Sequence, residues 1–348
     1  MRGENILNAA KQISRMYDIQ RFATTTQTTE LAGLSTEMKT YYEKRLIDLA
    51  EPKLVHNQFG DKYPIPKNGG KTIEFRKYDS LKKATTPITE GVTPDGDNLN
   101  VTAVTATVSQ YGNWIQLSDI LDLTAIDNNV LQATKLLGSQ AGRTLDTITR
   151  EVLCGGTNVI YAPILTYTDG KVTGRTEVTS RSQITSAATL TPELFFQASA
   201  QLDAFNAETI DDSYVAIVHP YAAYDLMRSD EWIEVHKYAR PDNIYEGEIG
   251  KIGNVRFVKS TEAKITDGGA DGAKVFCTLV LGAHAYGVTE ITGGGLKHIV
   301  KQLGYGDDPL DQRSSAGWKA THVAKRLVEQ YMIRIESGSS YSARAQVN

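Results

Sequence analysis

Cysteine is scarce in this chain. Cys154 and Cys277 are the only two, far apart and without a second ligand beside either. That excludes a disulfide scaffold and a cysteine-based zinc framework, and the expectation is two buried thiols in a reducing compartment. Long hydrophobic runs are missing too. No apolar stretch approaches the ~18 residues of a membrane-crossing helix, and the first residues, MRGENILNAAKQISRMYD, lack a signal peptide's continuous apolar core. The chain is therefore expected to stay where it is made, with no membrane partner. Basic charge is not in excess either: 37 Lys and Arg against 41 Asp and Glu give a net charge of −4. This argues against gripping nucleic acid through a broad basic surface, although not against enclosing it.

Catalytic patterns are equally thin. Asn68-Gly69-Gly70-Lys71-Thr72 ends like a phosphate-binding loop, but Ile65 stands where the first glycine belongs and a strand follows instead of a helix. Ser80 and Lys83 fit a bare SxxK spacing without its partner motifs. No GxSxG elbow occurs. The histidines at 56, 219, 236, 284, 298 and 322 form no metal-ligand spacing. His219, before Pro220 at a strand-to-helix junction, stands where active-site residues often lie, and a structural histidine is the commoner outcome there. Asp307, Asp308 and Asp311 could hold a cation or simply line a solvated loop. No catalytic, cofactor or metal site is assigned.

What is present is a long helical period between Asp127 and Gly156. Val130, Leu137, Ala141, Leu145, Ile148 and Val152 recur on one face. Thr134, Gln140, Arg143, Asp146 and Arg150 fall largely on the others. Asp127 can cap the start, and Gly155-Gly156 can end the helix. Gly138 and Gly142 each cost about 1 kcal/mol relative to Ala, which suits a close approach of another backbone.

Before this helix, residues 4–19 and 36–50 have short amphipathic patterns, and the first ~60 residues carry no compact core. From Lys71 the period becomes two. Ile73, Phe75 and Lys77 alternate with Glu74, Arg76 and Tyr78, and a second strand is expected over residues 100–118. Fully extended, those residues reach about 60 Å. A compact globule of this length has a radius of gyration of only ~20 Å, so part of the hairpin must leave the body. Its tip, KKATTPITEGVTPDGDNLN, has only Ile88, Val92 and Leu99 as large apolar residues. Such a loop is either unordered in the monomer or held by a neighbouring subunit. Lys82 and Lys83 could meet carboxylates there or remain an exposed pair.

After the helix, a hairpin turns at Asp169-Gly170. A helix opens at Thr191-Pro192 with Phe195, Ala198, Leu202 and Phe205 on one face. Tyr214–Val218 reads as a buried strand, Pro220 starts a short helix, and residues 229–247 are irregular around Trp232 and Tyr238. Residues 255–258 and 275–281 are further strands, the second apolar enough to be central. This predicts an α/β or α+β subdomain over about 185–295. The tail is expected to add two strands that return to the long helix's sheet.

The strings TTQTTELAGLSTEMKTYYEKRLIDLAEPKLVHNQFGDKYPIPKNGGKTIEFRKY, TEGVTPDG, AIDNNVLQATKLLGSQAGRTLDTITREVL and HVAKRLVEQYMIRIE resemble major capsid proteins of tailed double-stranded DNA bacteriophages. The resemblance runs from about Thr24 to Glu336. It implies the α+β fold called Hong Kong 97. Its parts would be an amino-terminal arm (1–60), an extended hairpin loop with flanking strands (61–118) and a peripheral domain (119–184) with spine helix 127–154. An axial α/β domain (185–295) and carboxy-terminal strands (296–348) would complete it. The implied function is structural, not enzymatic. Copies would form pentamers and hexamers of an icosahedral head, assembled in the host bacterial cytoplasm and enclosing DNA without sequence-specific binding. A portal, and scaffold or decoration proteins, would be its other partners. Glu90, Gly91, Asp95 and Gly96 at the loop tip become candidates for subunit contact. An encapsulin-like shell of the same fold is the alternative.

Overall fold

Alternation from Lys71 onward produces strands, and the 3.6-residue period produces the long helix. The computed structural model describes residues 26–28, 55–78, 81–88, 90–91, 93, 95–124, 129–168, 171–229, 232–233, 248–301, 303–306 and 308–348. The expected helices at 4–19 and 36–50, the Asp127 cap, Ser80, the Asp169-Gly170 turn, Tyr238 and Asp307 lie outside these residues.

In chain order come β1 (Thr26–Thr28), β2 (Asp61–Lys62), β3 (Thr72–Tyr78), β4 (Val101–Thr107) and β5 (Ser109–Ser118). Helices α1 (Asp119–Thr124) and α2 (Asn129–Cys154) follow. Then come β6 (Val159–Tyr161), β7 (Ile164–Thr168), β8 (Lys171–Thr176), α3 (Pro192–Ala204), β9 (Tyr214–Val218) and α4 (Pro220–Met227). The remaining strands are β10 (Glu248–Ile252), β11 (Val255–Lys259), β12 (Ile265–Thr266), β13 (Val275–Leu281) and β14 (Tyr286–Thr289). β15 (Lys297–Lys301), β16 (Arg313–Arg326) and β17 (Met332–Ser337) complete them.

Two sheets organise the body. A seven-stranded sheet runs β10-β11-β9-β13-β17-β6, with β12 added on β13. On one face, α3 and α4 press Leu194, Phe195, Ala198, Leu202, Ala222 and Leu226 onto Ala216, Val218, Phe257 and Ile333. On the other, Leu153 and Cys154 at the end of α2 meet Val215, Ile217, Cys277 and Leu279 together with Tyr286. The alternation along β9 therefore serves two cores at once, and all its residues are buried. Phe205 departs from expectation. It is the residue that ends α3 and is 37% exposed, because the helix stops before it can turn inward.

The six-stranded sheet runs β1-β5-β16-β14-β2, with β15 also paired to β16. The inner face of β16, through Ala316, Trp318 and Ala320, packs on Leu137, Ala141 and Leu145 of α2.

Three expectations are corrected. The strand expected over 100–118 is two strands. Val108 is buried and its N–H donates to Lys71 O (2.8 Å), and there the chain changes partners, from β3 to β16. The tail strands do not both join the long helix's sheet. β16 does, whereas β17 lies between β13 and β6 in the other sheet, because Ile333 and Ile335 complete the core under α3. The 185–295 segment shares both sheets with the rest of the chain: β14 pairs with β16, and the seven-stranded sheet takes β6 and β17 from outside it.

The third correction concerns α2, 26 residues long and hence about 39 Å. Gln140 and Arg143 are exposed as expected, but Thr134, Asp146, Thr149 and Arg150 are buried. The sheets meet the helix on different sides, so its buried face moves round the axis from Leu137 to Leu153. Gly138 and Gly142 are both buried within that transition. Buried polar groups require partners, and these have them. Asp146 accepts from His56 Nδ1 (2.7 Å) and from the His56 backbone N–H (2.8 Å). Thr149 Oγ1 donates to Asn57 and lies 2.9 Å from His322 Nε2. Tyr286 donates to the His56 carbonyl. Arg150 donates to the Glu262 carbonyl (2.7 Å) and to Glu151 (2.8 Å). This seam pins residues 56 and 57 to the helix and to β16.

Candidate functional site

Two hairpins, β7–β8 and β3–β4, stand apart from both sheets, and the β3–β4 hairpin is the one that carries the long exposed loop. Its strands pair antiparallel from Thr72↔Thr107 to Tyr78↔Val101. Ile73 and Phe75 are half-buried while their neighbours along β3 are exposed. Phe75 anchors the root, meeting the Tyr63 ring edge-on at 5.4 Å. It also lies so close to Gly287 that a Cβ there would sit 3.2 Å from its ring. Beside it a groove of about 410 Å³ is lined by Asp61, Tyr63, Val104, His284 and Leu327. His284, held at a left-handed φ of 58°, has Nδ1 2.7 Å from Asp61 Oδ2. That hydrogen bond raises its pKa above the ordinary value.

Beyond Tyr78 and before Val101 the described residues form no strand or helix, and all of them are exposed. Lys82, Lys83, Glu90, Gly91, Asp95 and Gly96 are thus brought onto one loop. None of their side chains has a hydrogen bond or ion pair within the described residues. Gly91 takes a φ of 79° that an L side chain resists, and no atom lies within 4 Å of the position its Cβ would take. Leu81, Ile88 and Leu99 are 56%, 73% and 70% exposed. The described loop residues make no core with the rest of the described chain.

The other chemical candidates have structural partners. His219 caps α4, its Nδ1 accepting from the Tyr221 N–H (3.2 Å), and burial pushes its pKa down to about 4. A neutral acceptor is what a helix start requires. Asn68 and Gly70 take φ of 70° and 88° in a turn leading into β3, so no helix N-terminus faces a phosphate there. Burial pushes the Cys154 and Cys277 thiols up to about 12 and about 11, leaving no thiolate at neutral pH. Asp308 is buried and accepts from the Arg313 N–H (2.6 Å). Among the described residues no three His, Cys, Asp or Glu side chains group as a metal site. No described helix is long and apolar enough to cross a membrane.

Sequence reasoning missed two buried charge centres. His56 and Asp146 lie 90 residues apart, and no spacing rule links them. Glu336 is fully buried on β17 between Arg181 (Nε–Oε2 2.8 Å) and Arg334 (Nε–Oε1 2.9 Å). Its one signal was an acid inside the apolar string MIRIES.

A family model described as phage capsid protein matches residues 83–332. The fold is similar to the capsid of Ralstonia phage GP4, with a TM-score of 0.64 and 15% identity over 92% of this chain and 96% of that one. It is similar to the cyanophage Pam1 capsid, with a TM-score of 0.62 and 14% identity over 93% and 99%. The capsid of cyanophage P-SCSP1u gives 0.60 and 16% over 82% and 89%. At these identities the likeness is one of fold. No curated protein matches the chain in sequence.

Proposed function

The chain belongs to the phage capsid protein family, as a structural protein of the capsid shell, and from that premise we propose how it builds the shell. Copies form the pentamers and hexamers of an icosahedral tailed-phage head that encloses double-stranded DNA. The fold is of the Hong Kong 97 type. Residues 1–60 are the arm, 61–118 the extended loop with its strands, and 119–184 the peripheral domain. Residues 185–295 are the axial domain, and 296–348 the closing strands. The α2 helix is the spine of the peripheral domain, with Gly138 and Gly142 at its tight packing. Assembly takes place in the host cytoplasm, and a portal and scaffold or decoration proteins take part.

The observation that carries this reading is the exposed loop beyond β3. Ordering a loop costs ~1–2 kcal/mol per residue in backbone entropy, and the described residues of this one are all exposed, so they recover little of it by packing on the described chain. A neighbouring subunit supplies the missing contacts through the loop residues from Lys82 to Gly96. Each such contact can be weak, because one subunit engages several neighbours and the contacts add as avidity. Deleting residues 84–98 is expected to leave a folded monomer, by circular dichroism and thermal unfolding, that forms no closed shells under negative-stain microscopy or size exclusion. Normal shells from the deletion would overturn the role given to the loop.

A further inference from the structure

The turn between β13 and β14, residues 282–285, carries the chain from the seven-stranded sheet to the six-stranded one. Its backbone is fastened twice. The Gly282 N–H donates to the Tyr331 carbonyl (2.9 Å), and the Ala283 N–H donates to the Glu208 carbonyl (2.8 Å). His284 follows at a φ of 58°, a left-handed conformation that side chains with a Cβ rarely take. Such a conformation persists where the surroundings fix the residue, and the His284 ring is fixed from two sides.

The ring stands between two carboxylates. Nδ1 lies 2.7 Å from Asp61 Oδ2, and Nε2 lies 3.8 Å from Glu208 Oε2, an ion-pair separation. A neutral imidazole has one N–H and one lone pair. Whichever tautomer it takes, one of the carboxylates then faces a lone pair. The imidazolium, with an N–H on each nitrogen, suits both. Asp61 belongs to β2, and the Tyr63 hydroxyl donates to it (3.4 Å) while the Tyr63 ring meets Phe75 at the hairpin root. Glu208 lies between α3 and β9, on the side of the seven-stranded sheet. The other charged groups of the groove are on β3, where Glu74 and Arg76 pair with each other (2.9 Å) and Lys77 is the third.

We propose that His284 is a proton-dependent latch between the hairpin root and the α3–β9 connection. Protonated, it bridges Asp61 and Glu208. On losing its proton it keeps Asp61, the closer and more shielded partner, and releases Glu208, whose side chain is 78% exposed. The direction in pH follows from the hydrogen bond to Asp61, which raises the His284 pKa above 6.5. The latch is fully closed below 6.5 and opens as pH rises through the raised value. The backbone bond from Ala283 to Glu208 does not titrate, so opening loosens the connection without undocking it. The groove of about 410 Å³ beside Phe75 leaves space into which the freed root can shift.

The test follows hydrogen exchange in the full-length, unassembled chain at about pH 6 and about pH 9, corrected for the intrinsic exchange rate at each pH. In the parent, protection of residues 61–78 and 205–213 is expected to fall about threefold from the lower pH to the higher, the size of a weak, partly exposed ion pair. Protection of β9 and β13 should stay constant. His284→Gln, uncharged at both pH values, should show the lower protection at both, and Glu208→Gln should abolish the fall over 205–213. Should His284→Gln fail to fold at the left-handed position, His284→Asn, a residue that tolerates that φ, carries the same test. Parent protection that does not change with pH would overturn the proposal, as would a glutamine variant at 284 that keeps the parent's fall. An equal fall in β9 and β13 would also overturn it, because it reports a general loosening. Read on single chains, the result stands or falls independently of the loop's role in assembly.

Discussion

The two sheets are finished in different ways. Every residue of β9 and β13 in the seven-stranded sheet is buried, with helices on one side and the end of α2 with Tyr286 on the other. The six-stranded sheet packs its inner face on α2, and among the described residues half its outer face is left open, with Trp114 and Ile299 exposed. The first sheet is completed by its own chain and belongs to folding. The second keeps surface in reserve, which is what a subunit needs if its last contacts come from neighbours.

That contrast can be broken by cutting first into the sealed sheet. Glu336→Ala leaves Arg334 and Arg181 without their buried carboxylate, and removing one member of a buried ion pair costs ~3–5 kcal/mol. Arg181 is partly exposed and can turn to water, so a loss of about 3 kcal/mol in urea unfolding is expected. A loss under about 1 kcal/mol would show that this region is not sealed.

A smaller effect should come from pH at the seam between the sheets. Burial pushes the His322 pKa from the ordinary 6.5 down to about 4. The unfolded chain therefore takes up a proton near pH 6.5 that the folded chain refuses until about 4. Its contribution is full above 6.5 and is lost as pH falls through that window, by on the order of 2–3 kcal/mol at ~1.4 kcal/mol per unit. His322→Gln should flatten the fall in stability between pH 6.5 and 4. An unchanged slope would mean that His322 does not titrate across this transition.

The smallest effect belongs to the open face. Lys297→Ala, at an exposed position of β15, should change monomer stability by less than about 0.5 kcal/mol. A loss of several times that in the isolated monomer would mean that the open half belongs to folding after all.

Much of this was legible in the chain. The period-two pattern of β3, the all-apolar Val275–Leu281 string and the Thr191-Pro192 helix start each state a local geometry. The loop was legible too, because a segment with so few large apolar residues cannot close a core. The burial of Asp146 and Arg150 was not. Periodicity assumes one straight apolar stripe, whereas α2 meets two sheets on two sides. The open half-face was hidden for a related reason: Gly317 and Trp114 become neighbours only through pairing across two distant strands.

The sequence by itself determined the long helix, the strands at 72–78, 214–218 and 275–281, the helix that opens at Pro192, and through long ordered strings the kinship of the chain. Such properties reside in residues close together along the backbone. Only the tertiary structure decided that β17 joins the other sheet, that His56 meets Asp146 and that one half-face stays open. Those depend on which distant segments share a sheet, and that choice is made by fitting whole apolar faces together, which no local spacing records.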